Sequence, residues 1–272
     1  MNQITSKTSK FFMFSKPALV DAQIFMIISL LVKKDFKIKY RDSLLGFAWS
    51  MINPLLFMLI VGFVFSGVFK SVENYSIFVL SGILLWNMGN LSIMLGTSSI
   101  VNSSFLLRKI KIPIWIFPLV PVGICLINFL LALIPFVVIC YFFQVALSLK
   151  IFLLPILLFF YAAFCAGISL ALASINVFFR DVAHVLEPLL TLTFYATPVI
   201  YDRAQINIPY PINNLQLLNP FLHFVEVGRG ILIGTKQINM LSVYCCIIFA
   251  VVSCVCGFLV FRKTASKILL NI

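Results

Sequence analysis

Charge is what this 272-residue sequence has least of: 10% of its residues are Asp, Glu, Lys or Arg, and only eight are acidic. Soluble domains carry about 25% charged residues, so a core of this composition has too little polar surface to meet water. The shortage of carboxylates also leaves little for acid–base or metal-assisted chemistry. No glycine is followed by lysine, so the phosphate-binding loop GxxxxGK[ST] is absent, and no GxGxxG occurs. The chain therefore cannot hydrolyse ATP by the P-loop route on its own. HExxH and GxSxG are missing as well, which removes the usual zinc-hydrolase and serine-hydrolase signatures. Cys125, Cys140, Cys165, Cys245, Cys246, Cys254 and Cys256 all lie in apolar tracts without a CxxC pair. Neither a disulfide framework nor a metal site is expected from them. The first 20 residues are polar and basic with no short apolar core, so no removable signal peptide is expected.

What is present is apolar: 62% hydrophobic residues and a mean hydropathy of +1.12. The solvent of such a chain is largely lipid. A spanning helix needs about 20 mostly apolar residues, and uncharged tracts predict spans near 48–69, 75–101, 113–143, 151–178 and 241–261. The tract 185–201 predicts a fifth span in chain order, weakened by Glu187, Pro188 and Pro198. The stretch 22–32 is too short to cross and predicts an amphipathic helix lying on the membrane surface. Residues 202–240 predict two short re-entrant or interfacial helices at the outer face, meeting near Asn219 and Pro220, because irregular backbone at membrane depth needs shielding by protein. The expected fold is thus an all-α integral membrane protein with six transmembrane helices. A single domain covers 1–272: a cytoplasmic tail and interface helix over 1–42, the six-span bundle over 43–261 and a cytoplasmic tail over 262–272.

Placing both termini in the cytoplasm puts 15 of the 20 Lys and Arg residues on that side. Eight precede the first span, Arg108, Lys109 and Lys111 follow the second, Arg180 follows the fourth, and three lie in the tail. That asymmetry fixes the orientation and explains much of the net charge of +12 without a polyanionic partner, so no nucleic acid is expected.

Three groups of residues stand out. Arg180, Asp181, His184 and Glu187 crowd the cytoplasmic mouth between spans four and five, either as a proton relay or as a turn held by Arg180 and Asp181 at the headgroups. Lys33, Lys34, Lys37, Lys39 and Arg41 precede the first span; they suit attraction to anionic lipid or a site for a phosphorylated lipid headgroup. Trp49, Trp86, Tyr195, Tyr201 and Tyr210 fall near membrane boundaries, where belt anchoring and sugar stacking both remain open.

The run from Lys39 through Arg41, Leu45, Gly46 and Trp49, closed by Asn53-Pro54-Leu55-Leu56, resembles the start of the first span in type-2 ABC exporter permeases. The Phe179–His184 turn, Thr197-Pro198-Val199-Ile200-Tyr201, and the run from Asn219-Pro220 through Glu226 to Arg229 continue the likeness in order. The nearest likeness is to permeases exporting O-antigen, capsular polysaccharide or teichoic acid.

The resemblance implies a homodimer, with two copies of a separate ATPase subunit that hold the ATP and Mg; this chain itself binds no cofactor. It implies a cytoplasmic loop, 102–112 with Ser104, Arg108, Lys109 and Lys111, docking into the ATPase. An undecaprenyl-pyrophosphate-linked glycan would be received near Lys37, Lys39, Arg41, Leu45 and Gly46. Channel aromatics would include Trp49, Phe57, Tyr195 and Tyr201, and an outer gate would include Asn219, Pro220, Glu226 and Arg229. The chain departs from many relatives at Asp42, where they carry a second cation, so no paired-cation clamp is implied there. The expected setting is the bacterial inner membrane, and the expected role is a permease rather than an enzyme. Export of a small molecule and a polyprenyl-lipid transferase activity stand as alternatives.

Overall fold

The computed structural model describes residues 17–39, 41, 45–65, 74–109, 112–203, 216–233 and 238–271. Among them the regular structure is helical: α1 (Pro17–Lys39), α2 (Trp49–Phe65), α3 (Tyr75–Asn102), α4 (Ser104–Lys109), α5 (Ile116–Phe142), α6 (Leu154–Asn176), α7 (Asp181–Ala196), α8 (Pro220–Leu232) and α9 (Met240–Asn271). This is what lipid demands, since a helix satisfies its backbone donors and acceptors within one segment.

Four helices are long and apolar enough to cross a bilayer: Tyr75–Asn102, Ile116–Phe142, Leu149–Asn176 and Met240–Ile268. The chain is therefore a multi-pass membrane protein. Within the expected first and fifth spans the described residues hold α2, of 17 residues, and α7, of 16; residues 66–69 of the first lie outside the described residues. At 1.5 Å per residue α7 reaches about 24 Å, short of the ~30 Å hydrocarbon thickness. The helix α7 starts at Asp181, earlier than the apolar tract suggested, because a carboxylate in the first turn suits the positive end of the helix dipole. The N-terminal helix is also longer than expected. It runs through the basic residues to Lys39 and packs Leu31 and Val32 on Ile116, Val120 and Ile124 of α5.

The centre of the bundle is α3, whose apolar stretch is 78% buried against 17% for α9. It meets α2, α5, α6, α7 and α8. Three polar side chains of α6 reach carbonyls of α3: the Tyr161 hydroxyl donates to Leu85 O at 2.9 Å, Ser169 Oγ to Ser92 O at 3.2 Å, and Asn176 Nδ2 to Thr97 O at 3.2 Å. The pairs advance together along both helices, so α3 and α6 run parallel. Parallel neighbours require α5 to return across the same layer, and that is the alternation a membrane hairpin produces. Close approach is permitted by Gly89 and Gly96, where a Cβ would collide with the Tyr161 hydroxyl and with Ser169.

The helices α6 and α9 touch backbone to backbone. A Cβ on Gly167 would collide with the Ser253–Cys254 peptide, and one on Gly257 would collide with the Gly167 carbonyl. Cys254 Sγ donates to Ala163 O at 3.1 Å in the same seam. Without a hydrophobic drive between helices in lipid, small residues that allow such contact supply the attraction. Gly167→Leu is expected to separate the pair, lowering the melting temperature of purified protein by several degrees and its level in membranes. An unchanged melting curve would show that this seam contributes little.

Candidate functional site

One end of the bundle is built around α8. Asn219 caps it, its Oδ1 accepting from Phe221 N at 3.0 Å, and Pro220 occupies the first turn, where a missing N–H costs nothing. The other half of the same amide, Nδ2, donates to Thr197 Oγ1 at 2.8 Å and so ties α8 to the end of α7. Beyond Ala196 the chain leaves helical geometry, which frees carbonyls inside packed protein. Arg229, only 4% exposed, takes two of them: Nη1 donates to Pro198 O at 2.9 Å and Nη2 to Val199 O at 3.0 Å. Its Nε donates to Ser81 Oγ at 3.4 Å, and the guanidinium lies 3.6 Å from the Phe78 ring centroid. Tyr75 donates to the next carbonyl, Ile200 O, at 2.7 Å. Three successive carbonyls are thus gripped by α3 and α8 together. Gly82 makes room, since a Cβ there would collide with Arg229 Nη2 and crowd Val199.

A second polar chain joins α8 to α9. Ser242 Oγ donates to Glu226 Oε2 at 3.3 Å and lies 3.2 Å from His223 Nδ1, while His223 Nε2 is 2.9 Å from Leu217 O. A carbonyl only accepts, so Nε2 carries hydrogen. The single hydroxyl hydrogen of Ser242 then serves either Nδ1 or the carboxylate at one time. Of the sequence-predicted outer residues, Asn219, Pro220, Glu226 and Arg229 come together in this assembly. Tyr201 joins its edge, donating to Tyr195 O at 3.2 Å and accepting from Gln216 Nε2 at 3.2 Å.

At the opposite end, Arg180, Asp181, His184 and Glu187 are all exposed. No ion pair links Arg180 to Asp181 among the described residues. The turn is held instead by buried Asn176, whose Nδ2 reaches Thr97 O while its Oδ1 accepts from Ala183 N at 3.3 Å. One amide thus joins the ends of α3, α6 and α7. The six-residue α4 carries Ser104, Arg108 and Lys109 with no residue buried, and Lys109 Nζ sits 4.1 Å over the Phe105 ring. Lys111 lies outside the described residues.

The approach to α2 is exposed at Lys37, Lys39 and Arg41, and at Leu45. Gly46 adopts φ +49° at the start of the 3-10 turn Gly46–Ala48, a conformation that favours glycine. Trp49 and Phe57 follow on α2, both more than two-fifths exposed. Phe57 meets Phe194 of α7 at 6.3 Å, Phe194 meets Trp86 at 5.4 Å, and Trp86 meets Phe221 at 4.9 Å. Tyr195 packs on Phe194 at 5.3 Å. An aromatic line therefore runs from the α2–α7 face into the core. Phe194 and Phe221 were missed as aromatics of interest because 29 phenylalanines give no local contrast.

The sequence pattern of ABC-2 type transporters matches residues 27–233, from within α1 to the end of the α8 assembly. The chain belongs to the ABC-2 type transporter family. Within it, the chain is 33% identical over 207 residues to the O-antigen export system permease protein RfbA of Myxococcus xanthus, covering 76% of this chain and 79% of that protein. It is 27% identical over 223 residues to the O-antigen export system permease protein RfbA of Klebsiella pneumoniae, covering 81% and 85%. In this ABC-2 chain, the grip on residues 198–200 falls inside the matched segment and α9 falls outside it.

Two substitutions test these attachments. Hydrogen bonds from a charged donor contribute about 1.5–3 kcal/mol each, and breaking a buried set leaves its carbonyls orphaned. Arg229→Ala should therefore cost about 3 kcal/mol of stability, read from thermal or denaturant unfolding of the purified chain. A loss below about 1 kcal/mol would show that the carbonyls find other donors. Asn176→Ala should loosen the start of α7 and speed tryptic cleavage after Arg180 at least several-fold. Unchanged cleavage would leave the turn held by something else.

Proposed function

We propose that this chain is the transmembrane subunit of an ATP-driven exporter that carries a lipid-linked surface polysaccharide, O-antigen in the first instance, across the bacterial inner membrane. The observation that supports this most is the 33% identity to an O-antigen export permease over three quarters of both chains. The missing phosphate-binding loop fits the same reading, because ATP and Mg then belong to a separate nucleotide-binding subunit, two copies of which serve a homodimer of this chain. Both termini lie in the cytoplasm, following the charge asymmetry.

In this reading the exposed α4 helix, with Ser104, Arg108 and Lys109, receives motion from the ATPase. Its rigid link to α3 is direct: only Ser103 separates the two helices. The basic approach at Lys37, Lys39 and Arg41 receives the phosphorylated lipid headgroup beside the Leu45-Gly46 turn, as a charge-assisted contact. The helices α2 and α7 line the path, and their aromatic faces at Trp49, Phe57 and Tyr195 offer sequence-tolerant surfaces to passing sugars. The Asn219–Arg229 assembly and Tyr201 stand at the outer end, where the gripped 198–200 segment holds the exit in shape. Arg180, Asp181, His184 and Glu187 form the cytoplasmic rim.

Co-purification tests the assignment first: the tagged chain should bring down an ATPase subunit, and lipid-linked glycan should raise ATP hydrolysis of the pair several-fold. Failure to recover any ATPase would sink the reading. Arg41→Ala should lower surface polysaccharide several-fold while the amount of folded permease stays constant. Normal polysaccharide in that variant would remove Arg41 from the mechanism.

A further inference from the structure

The far end of α9 differs from the rest of that helix. Most of its apolar stretch faces outward, with 17% of it buried, yet Phe261 and Ile268 are 4% and 0% exposed. Between them Arg262, Lys263, Ser266 and Lys267 are exposed. Phe261, Ala265 and Ile268 recur at i, i+4 and i+7, the spacing that places residues on one face of a helix. At 1.5 Å per residue the 32 residues of α9 reach about 48 Å, well past a ~30 Å hydrocarbon layer. Residues 262–271, expected as a tail, therefore continue the helix and carry a buried apolar stripe. The start of α9 lies at the α8 end, where Ser242 meets His223, so the stripe belongs to the opposite end of the bundle.

There, Phe261 and Ile268 form one buried cluster with Ile100 of α3, Phe117 of α5 and Ala173 of α6. Leu106 and Leu107 of α4 pack against that cluster, and so do Val177 and Phe178 of the turn into α7. Leu106 packs on the α1–α5 cluster as well. This matters for α4, because its six residues are too few to hold a helix unaided; isolated helices shorter than about 12–15 residues are marginal. It buries none of its residues fully, so its place depends on the apolar seat under Leu106 and Leu107. The same seat carries the turn where α6 passes to α7. Two otherwise separate connections thus share one support, and α9 supplies two of its five buried side chains.

We propose that the last two turns of α9, through Phe261 and Ile268, are a positioning element that holds α4 and the start of α7 on one seat, so that displacement of α4 is passed to α7. The inference rests on the exporter reading, in which α4 meets the ATPase and α7 lines the path. It adds to that reading a helix outside the matched segment 27–233. Packed interiors have low compressibility and transmit strain, so a push at Leu106 and Leu107 reaches Val177 and Phe178 when no void intervenes. The bond from Ala183 N to Asn176 Oδ1 then carries the shift into α7. Shortening Ile268 leaves a cavity that the surroundings fill only in part, and that slack absorbs the movement.

The first test uses the full-length chain in lipid nanodiscs and follows first-hit tryptic fragments by mass spectrometry. Ile268→Ala should speed cleavage after Lys109 in α4 and after Arg180 at the start of α7 at least fivefold. Cleavage after Lys150, exposed at the other end of the bundle, should stay at the wild-type rate. Ile268→Val should restore both rates to within twofold, and Val255→Ala, on the outward face of α9, should change neither. Unchanged cleavage at the two sites overturns the proposal, and so does a rise at Lys150 to match them, which marks general loosening. The second test uses the chain with its ATPase subunit. Ile268→Ala should cut the stimulation of ATP hydrolysis by lipid-linked glycan at least threefold, with the unstimulated rate and the amount of bound ATPase unchanged. Full stimulation overturns the passage of movement through the seat. Failure of the wild type to recover any ATPase defeats the exporter reading and the coupling with it, while the cleavage pattern still decides whether α9 holds α4 and α7 together.

Discussion

A backbone that stops being helical inside packed protein must find donors for its freed carbonyls, and the α8 half of this permease is organised by how that is done at residues 198–200. One guanidinium and one phenol, from α8 and α3, take three consecutive carbonyls. The arrangement explains several otherwise unrelated residues. Gly82 has to lack a side chain, Ser81 has to present an oxygen, and Phe78 has to offer its ring face. The charge is tolerable at 4% exposure because Asp202 and Glu226 supply opposite charge nearby and each of the three guanidinium nitrogens donates a hydrogen bond. The end of α7 is thereby fixed to the centre of the bundle, leaving its helical part free to present an exposed face.

The centre itself is held by a different use of the same chemistry. Tyr161, Ser169 and Asn176 recur at about two-turn intervals on α6 and each meets a carbonyl of α3. Interhelical hydrogen bonds in lipid contribute roughly 0.6–2 kcal/mol apiece, so three fix the register of the pair more than they add to its stability. Asn176 then hands the connection on to α7 through Ala183. Movement at α4, which adjoins α3, and movement at the start of α7 are in this way referred to one rigid pair.

Much of this was legible in the sequence. Long uncharged tracts located the four crossing helices to within a few residues at most ends, because lipid enforces helix wherever charge is missing. Asn219 and Pro220 were expected where two short outer helices meet; α8 begins there, and residues 204–215, where the first of the two would lie, are outside the described residues. The bounds of α7 were harder to see, since an apolar tract marks where a helix is permitted and not where its ends lie. Arg229 stood out as a cation beyond the fifth span. That it turns inward to carbonyls thirty residues earlier in the chain depends on tertiary packing, which no local pattern encodes.

The parallel pairing of α3 with α6 also has a meaning for how the protein is made. Of the four crossing helices α3 is the least apolar, with a hydropathy of 1.6 against 2.5–2.8 for the others, and it is the most buried. Its side chains at Ser81, Ser92 and Thr97 are hidden only once neighbours surround them. Those neighbours are encoded later: Tyr161 follows Leu85 by 76 positions, which at 5–20 residues per second is roughly 4–15 s of synthesis. For that interval the helix at the heart of the finished bundle sits in the membrane without the partner that fixes its register. The stretch of chain most dependent on company is thus among the first to arrive, and assembly of the core waits on α6.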